Sequence, residues 1–491
     1  MRNVSSRLFV ALIAASCLAG SAIAQETTKP PSSEKVVRAV ALFNEGKAAE
    51  ATELLELAVK EEPENGEAYS WLGFIYLQRD MPSQAEAALK RAHELLPNDV
   101  EVLVNLGNAQ LANGNDEGAL ASYQRITAAK PAMFEAWYNV GVLELKRKNF
   151  GAAKTALTAA QDLQPADPFV KNNLGAACMG LNDVAGAANA FKAASDLKTD
   201  NREFAHNASH ALLMAGQLEV SQRYLERAVA AGDTDPDLVL ALGQRYLQQN
   251  RVADAIKVFE LAEPAIEGKD GYWFNMGIAQ ERKGDYTAAE SAYRKSIQQG
   301  FQVAGARNNL GLMLFKRGQY VAARTQFEAL YAMNRSNTGA RLNLAAAMQK
   351  TGDLKGAVAL WEAHLKTQPN DHETRAVLGS VQWQLDMREP AFKNFQTVVK
   401  ANPNSAIAHN GIGLYHLEAT KLDDAEKALR LAIRADRGYA PAYNNLAVTY
   451  ERMNRLKEAK YFLDMAVKLD PNSSEIKSNL KRVNSRLGVR A

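Results

Sequence analysis

The residues best placed to do chemistry in this chain are asparagines at a fixed interval. Asn105, Asn139, Asn173 and Asn207 stand 34 residues apart; Asn275, Asn309 and Asn343 resume the same count, and Asn445 falls in phase later. A carboxamide is uncharged and carries both donors and an acceptor. A row of them can pair with the N–H and C=O of an extended backbone without reading its sequence, and can equally tie one repeat to the next. Arg282, Lys316 and Lys350 each follow an Asn of the second run by seven residues. Cations there favour acidic segments, and they also complement helix C-termini. His206 and His210 lie one helical turn apart, a spacing that can chelate a metal, yet no third ligand is visible. We read them as ordinary surface-lining histidines.

Other chemistry has no foothold in the sequence. There is no G-x-S-x-G, no G-x-x-x-x-G-K-[ST], no H-E-x-x-H, no G-x-G-x-x-G and no cysteine pair at metal spacing. The expectation is a protein that is not an enzyme, with no catalytic residue, cofactor or metal.

The elements that position these asparagines are legible in Phe134–Asp167. Trp137, Val140, Gly141 and Leu145 mark one face of a first helix, and Ala153, Leu157 and Ala160 one face of a second. Lys148-Asn149-Phe150 breaks the pattern and Pro165 stops it. Gly141 and Ala153 are small where two antiparallel helices would cross. A hairpin of this size has too little core to stand alone, so it must stack on copies of itself. It does repeat. The small residue of the first helix recurs every 34 residues from Ala39 through Gly73, Gly107 and Gly141 to Gly413 and Ala447; that of the second runs from Ala51 to Ala459. Thirteen repeats fill 32–473 without insertion or deletion. One inserted residue would turn a helix by ~100° and carry its apolar stripe off its neighbour. Ser474–Leu487 follows, with Ile476, Leu480, Val483 and Leu487 on one face. We read it as a capping helix and its cationic residues, Lys477, Lys481, Arg482 and Arg486, as a solvated face.

The pattern resembles the tetratricopeptide repeat (TPR), a 34-residue helix–turn–helix. Trp273-Phe-Asn-Met-Gly277 with Ala289 and Tyr293 carries the likeness, as do Tyr443-Asn-Asn-Leu-Ala447, Tyr450, Ala459 and Pro471. The resemblance implies an all-α, right-handed superhelical solenoid of about thirteen helical hairpins plus a C-terminal capping helix, with the first helices lining a concave surface. The asparagines stand two residues before the small residue, at a position that faces that surface in such folds. Their row resembles the asparagine ladder in the TPR region of O-GlcNAc transferases, where amides hold extended peptides. The ladder residues Asn105, Asn139, Asn173, Asn207, Asn275, Asn309 and Asn343, with Arg282, Lys316 and Lys350, are the expected peptide-binding set. The chaperone-tail clamp of some TPR proteins needs a lysine just before a ladder Asn. Val104, Tyr138, Asn172, His206, Phe274, Asn308, Leu342 and Asn444 occupy that place instead, so that clamp is not expected.

Composition agrees with a folded helical protein: 47% hydrophobic and 23% charged over 491 residues. A net charge of +3 gives no electrostatic footprint for nucleic acid. Arg2 and Arg7, the apolar Leu8–Ala15 and Ala22-Ile23-Ala24 read as a signal peptide over 1–24, followed by a polar linker over 25–31. No later segment approaches the ~18–20 apolar residues of a membrane span. Export to the periplasm is expected, with secretion or outer-membrane association as alternatives. Cys17 follows Ala14-Ala15-Ser16 and would anchor the chain only if lipidated. Cys178, on an apolar helix face, reads as a small buried hydrophobe. The function expected is an envelope scaffold or adaptor binding protein or peptide partners. The alternatives are an outer-membrane assembly lipoprotein and a TPR subunit of a glycosyltransferase-type enzyme. Intact mass of the exported protein separates the first two: we expect a chain beginning at Gln25, and one beginning at an acylated Cys17 overturns that expectation.

Overall fold

The computed structural model describes residues 33–261, 263 and 268–488. The signal peptide, Cys17, the linker and residues 489–491 of the tail lie outside the described residues. The chain divides into two compact units, Met1–Ile266 and Glu267–Ala491. The first carries seven hairpins, from Glu34–Asn44 with Ala48–Glu61 to Pro236–Gln248 with Val252–Leu261. The second carries six, from Tyr272–Lys283 with Tyr286–Gln298 to Ala440–Arg452 with Leu456–Leu469, followed by Ser474–Leu487. The described residues form helices and the turns between them, and the all-α fold of stacked hairpins is the one expected. We call the two helices of each repeat A and B.

Local chemistry sets the helix boundaries. Asp99, Asn115, Asp183, Asn201, Asp285 and Asp353 each accept a first-turn N–H through the side chain. The A–B turn needs one residue in the left-handed region. Gly114 and Gly216 supply it without strain, while Lys148, Asn182 and Asn454 adopt φ near +60° in the same role (59°, 60° and 61°). Between the helices, small meets large. A Cβ on Gly141 would lie 2.5 Å from the branch carbon of Leu157, sixteen residues on, and Gly277 and Gly311 face the rings of Tyr293 and Phe327 in the same way. The hollow left by the glycine is the socket of the facing side chain.

Polar latches join successive repeats. The Tyr76 phenol donates to Glu56 at 2.6 Å, that of Tyr246 to Glu226 at 3.0 Å and that of Tyr450 to Glu426 at 2.6 Å. Each runs from an A helix to the B helix of the preceding repeat. Burial, and then the carboxylate, push the Tyr76 and Tyr246 phenols up to about 12. Arg251 and Arg455 stack over two of these rings at 4.2 and 4.4 Å. Cys178 is buried, as expected.

The terminal helix caps the second unit, and its four basic residues are all exposed, as expected, yet they differ in what they touch. Lys477 and Lys481 make no ion pair among the described residues, whereas Arg482 and Arg486 grip Glu451 of the last repeat. Arg482 donates to both carboxylate oxygens, at 3.0 and 2.8 Å, and Arg486 to one at 3.1 Å. Glu451 is only 8% exposed, so the arginines neutralise a carboxylate the core would otherwise hold unpaired. The Arg482 hydrogen bond holds the Glu451 carboxyl below its ordinary value of 4.5. Its contribution is therefore present above that value and lost as pH falls through the folded one. Changing both arginines to methionine should destabilise the second unit by roughly 2–3 kcal/mol at pH 7. The gap between wild type and variant should close near pH 3, and urea denaturation at the two pH values measures it.

Candidate binding face

In the first unit the A helices Val100–Ala112, Phe134–Lys146, Pro168–Gly180 and Arg202–Met214 place Asn105, Asn139, Asn173 and Asn207 at one helical position, all half-buried. The Asn173 amide donates to the Tyr138 phenol at 3.2 Å, and the Asn207 amide to the Asn172 carbonyl at 3.0 Å. The acceptor in each case is the residue just before the ladder position in the preceding repeat. Asn105 and Asn139 make no side-chain hydrogen bond among the described residues.

The second unit repeats this bridge. Asn343 donates to Asn308 at 3.3 Å and Asn445 to Asn410 at 2.8 Å; in the capping helix Asn479 donates to Asn444 at 2.8 Å. Asn309 accepts from Asn308 at 3.4 Å. Asn275 differs from the other ladder residues. It is 7% exposed and donates to the Gly271 carbonyl at 2.9 Å, closing the first turn of its own helix. The bridging acceptors Tyr138, Asn172, Asn308, Asn410 and Asn444 were not singled out from the sequence. Their signal was present: a polar residue 35 positions before each donor.

Arg282, Lys316 and Lys350 are exposed in the last turns of their A helices. The Lys350 ammonium stands 5.9 Å from the centre of the Tyr320 ring. His206 and His210 stack in parallel with ring centres 6.3 Å apart, and His206 Nδ1 bonds Asp233 at 2.8 Å. Among the described residues no three His, Cys, Asp or Glu side chains converge as a metal site.

Two family models, both described as tetratricopeptide repeat, match the chain. One covers 78–134, 104–168, 206–270, 274–338 and 391–440, the other 42–94, 314–381 and 416–482. The chain belongs to the tetratricopeptide repeat family. The BBSome complex member BBS4 of Bos taurus is 25% identical over 221 residues, 45% of this chain and 43% of that one. The protein O-mannosyl-transferase TMTC1 of Mus musculus is 27% identical over 133 residues, 26% of this chain and 14% of that one. The chain thus spans less than half the length of these curated relatives. Among solved structures, the APC/C hetero-tetramer Cut9–Hcn1 aligns with a TM-score of 0.38 at 14% identity, over 92% of this chain and 89% of that one.

Within this TPR chain the stacked histidines are coupled electrostatically. The Asp233 hydrogen bond raises the His206 pKa against the effect of burial, while burial, and then His206, lower that of His210. Asp233, 9% exposed, is held below its usual range chiefly by the His206 bond, against its burial. The His206–Asp233 pair therefore adds stability below the ordinary histidine value of 6.5 and loses it as pH rises through the folded value. His206→Gln should lower the melting temperature most near pH 5.5 and least near pH 8.5. Melting curves of both proteins at the two pH values check this, and a gap of constant size would dismiss the charged pair.

Proposed function

We propose that this TPR chain is a non-enzymatic scaffold of the cell envelope that holds extended segments of partner proteins along its A-helix faces. The observation that carries the reading is the state of Asn105 and Asn139. They stand one repeat apart, half-buried, with donors and acceptor all unspent. At Asn173, Asn207 and Asn343 the donor is engaged in a bridge while the amide oxygen accepts nothing among the described residues. A row of this kind offers acceptors to peptide N–H groups, and two full amides at its start. Membership of a family of protein-binding repeats supports the same reading. A-x-A at 22–24 supports export, with the periplasm as the compartment proposed. Among the described residues no helix is long and apolar enough to cross a membrane.

Cross-linking in the exported fraction followed by mass spectrometry names the partner, and calorimetry on the partner's segment then tests the row. Asn105→Ala with Asn139→Ala should weaken binding roughly tenfold, as two lost hydrogen bonds of about 0.5–1.5 kcal/mol each imply. The melting temperature should stay nearly unchanged, because neither amide has an internal partner to lose. Unchanged affinity in a folded double variant would overturn the proposal.

A further inference from the structure

The second unit contains a cavity of about 420 Å³ among the A helices His372–Gln384, Ala406–Glu418 and Ala440–Arg452 and the capping helix Ser474–Leu487. It opens where the asparagine row is interrupted. Gly411 occupies the ladder position of its repeat, and the Phe395 ring already fills the place where a Cβ would go. No side chain can project there, and the space stays open.

The wall around this gap is polar and ordered. Asn445 donates to Asn410 at 2.8 Å, and Asn444 donates to one oxygen of Glu475 at 3.0 Å. Asn410 is 7% exposed, yet its side-chain N–H groups make no hydrogen bond among the described residues. The indole N–H of Trp383 is likewise unpaired, as is the second oxygen of Glu475. Glu475 and Asp470 line the cavity, whose lining includes no Lys, Arg or His, and neither is in an ion pair among the described residues. Trp383 also lines it, and its ring already carries one guanidinium, that of Arg388, at 4.1 Å.

We propose that this cavity receives the side chain of a lysine or arginine within a bound protein segment. The cationic head pairs with Glu475 and the rim carboxylate of Asp470, and the methylene stem lies against Trp383 and Leu414. The N–H groups of Asn410 meet a backbone carbonyl of the same segment. This inference deepens the proposed function, because it rests on extended segments lying along the A helices.

The test uses the full exported chain labelled with ¹⁵N at tryptophan, the Trp383 indole signal being assigned with Trp383→Phe. N-acetyl-arginine methylamide should shift that signal saturably, and its neutral isostere N-acetyl-citrulline methylamide should bind about fivefold more weakly. Glu475→Gln should erase the preference, and melting curves confirm that this variant is folded. Flanking alanines, in acetyl-Ala-Ala-Arg-Ala-Ala-amide, should tighten binding at least threefold, and Asn410→Ala should remove that gain. No shift, an equal response to arginine and citrulline, or a preference that survives Glu475→Gln with Asp470→Asn would overturn the proposal. Equal affinity for the capped residue and the pentapeptide would overturn the peptide assignment. The single-residue probe does not touch Asn105 or Asn139, so its failure is distinguishable from failure of the amide row.

Discussion

Everything in this protein hangs on one packing contact: a small residue on an A helix facing a large one sixteen positions later on the B helix. Gly141 against Leu157 and Gly311 against Phe327 are two instances. The contact tolerates no change of register, since ~100° of rotation per residue would replace a socket with a bulky side chain. That intolerance is why the 34-residue count does not slip, and the constant count has a second consequence. Any pair of polar groups that works between two adjacent repeats is available again in others at the same separation. Lys154 reaches Asp183 and Arg324 reaches Asp353, both 29 residues on, and Asn115 reaches Glu86 across the same interval. The latches are consequences of the phase rather than independent additions to it.

The asparagine row follows the same rule, at a separation of 35. A bridge needs an acceptor just before the ladder position of the preceding repeat, and Tyr138, Asn172, Asn308, Asn410 and Asn444 provide one. Where that place holds Val104, as before Asn139, the bridge cannot form and the amide stays whole. Asn105 also lacks a bridge: Trp71 is its counterpart in the preceding repeat, and Ser70, which stands before it, makes no hydrogen bond to it. The structural role of these side chains is thus divided atom by atom. The amide N–H groups tie repeats together where an acceptor exists, while the oxygens of Asn173, Asn207 and Asn343 accept nothing among the described residues and that of Asn309 accepts from Asn308.

Fold and site were legible in the sequence to different depths. Helices, turns and the small-residue columns could be read because each depends on residue type at a fixed spacing, and a repeated chain shows the spacing thirteen times. The positions of the asparagines could be read for the same reason. Which of their atoms are spent could not, because that depends on a neighbour in another repeat and on a rotamer. Asn275 shows the limit: it shares the column of Asn309 and Asn343, yet the turn at Gly271 draws its amide inward. The terminal helix shows it again. Lys477, Lys481, Arg482 and Arg486 look alike as a cluster, and only the buried Glu451 opposite separates the two arginines from the two lysines. A charge pattern along one helix carries no record of what faces it.

The interruption at Gly411 draws these threads together. Phe395 sits in the hollow of Gly379 within its own repeat and also against Gly411 of the next, so one ring, 1% exposed, serves two glycines. Packing has priority there, because a side chain at Gly411 would displace a buried aromatic ring, a change that costs several kcal/mol in cores of this density. The row of amides therefore yields a rung to the core. Its neighbours Asn410 and Asn445 bond each other across the gap rather than collapsing into it, which keeps the wall of the cavity ordered and polar. The departure from the repeat pattern at this position is itself a product of the packing rule that generates the pattern.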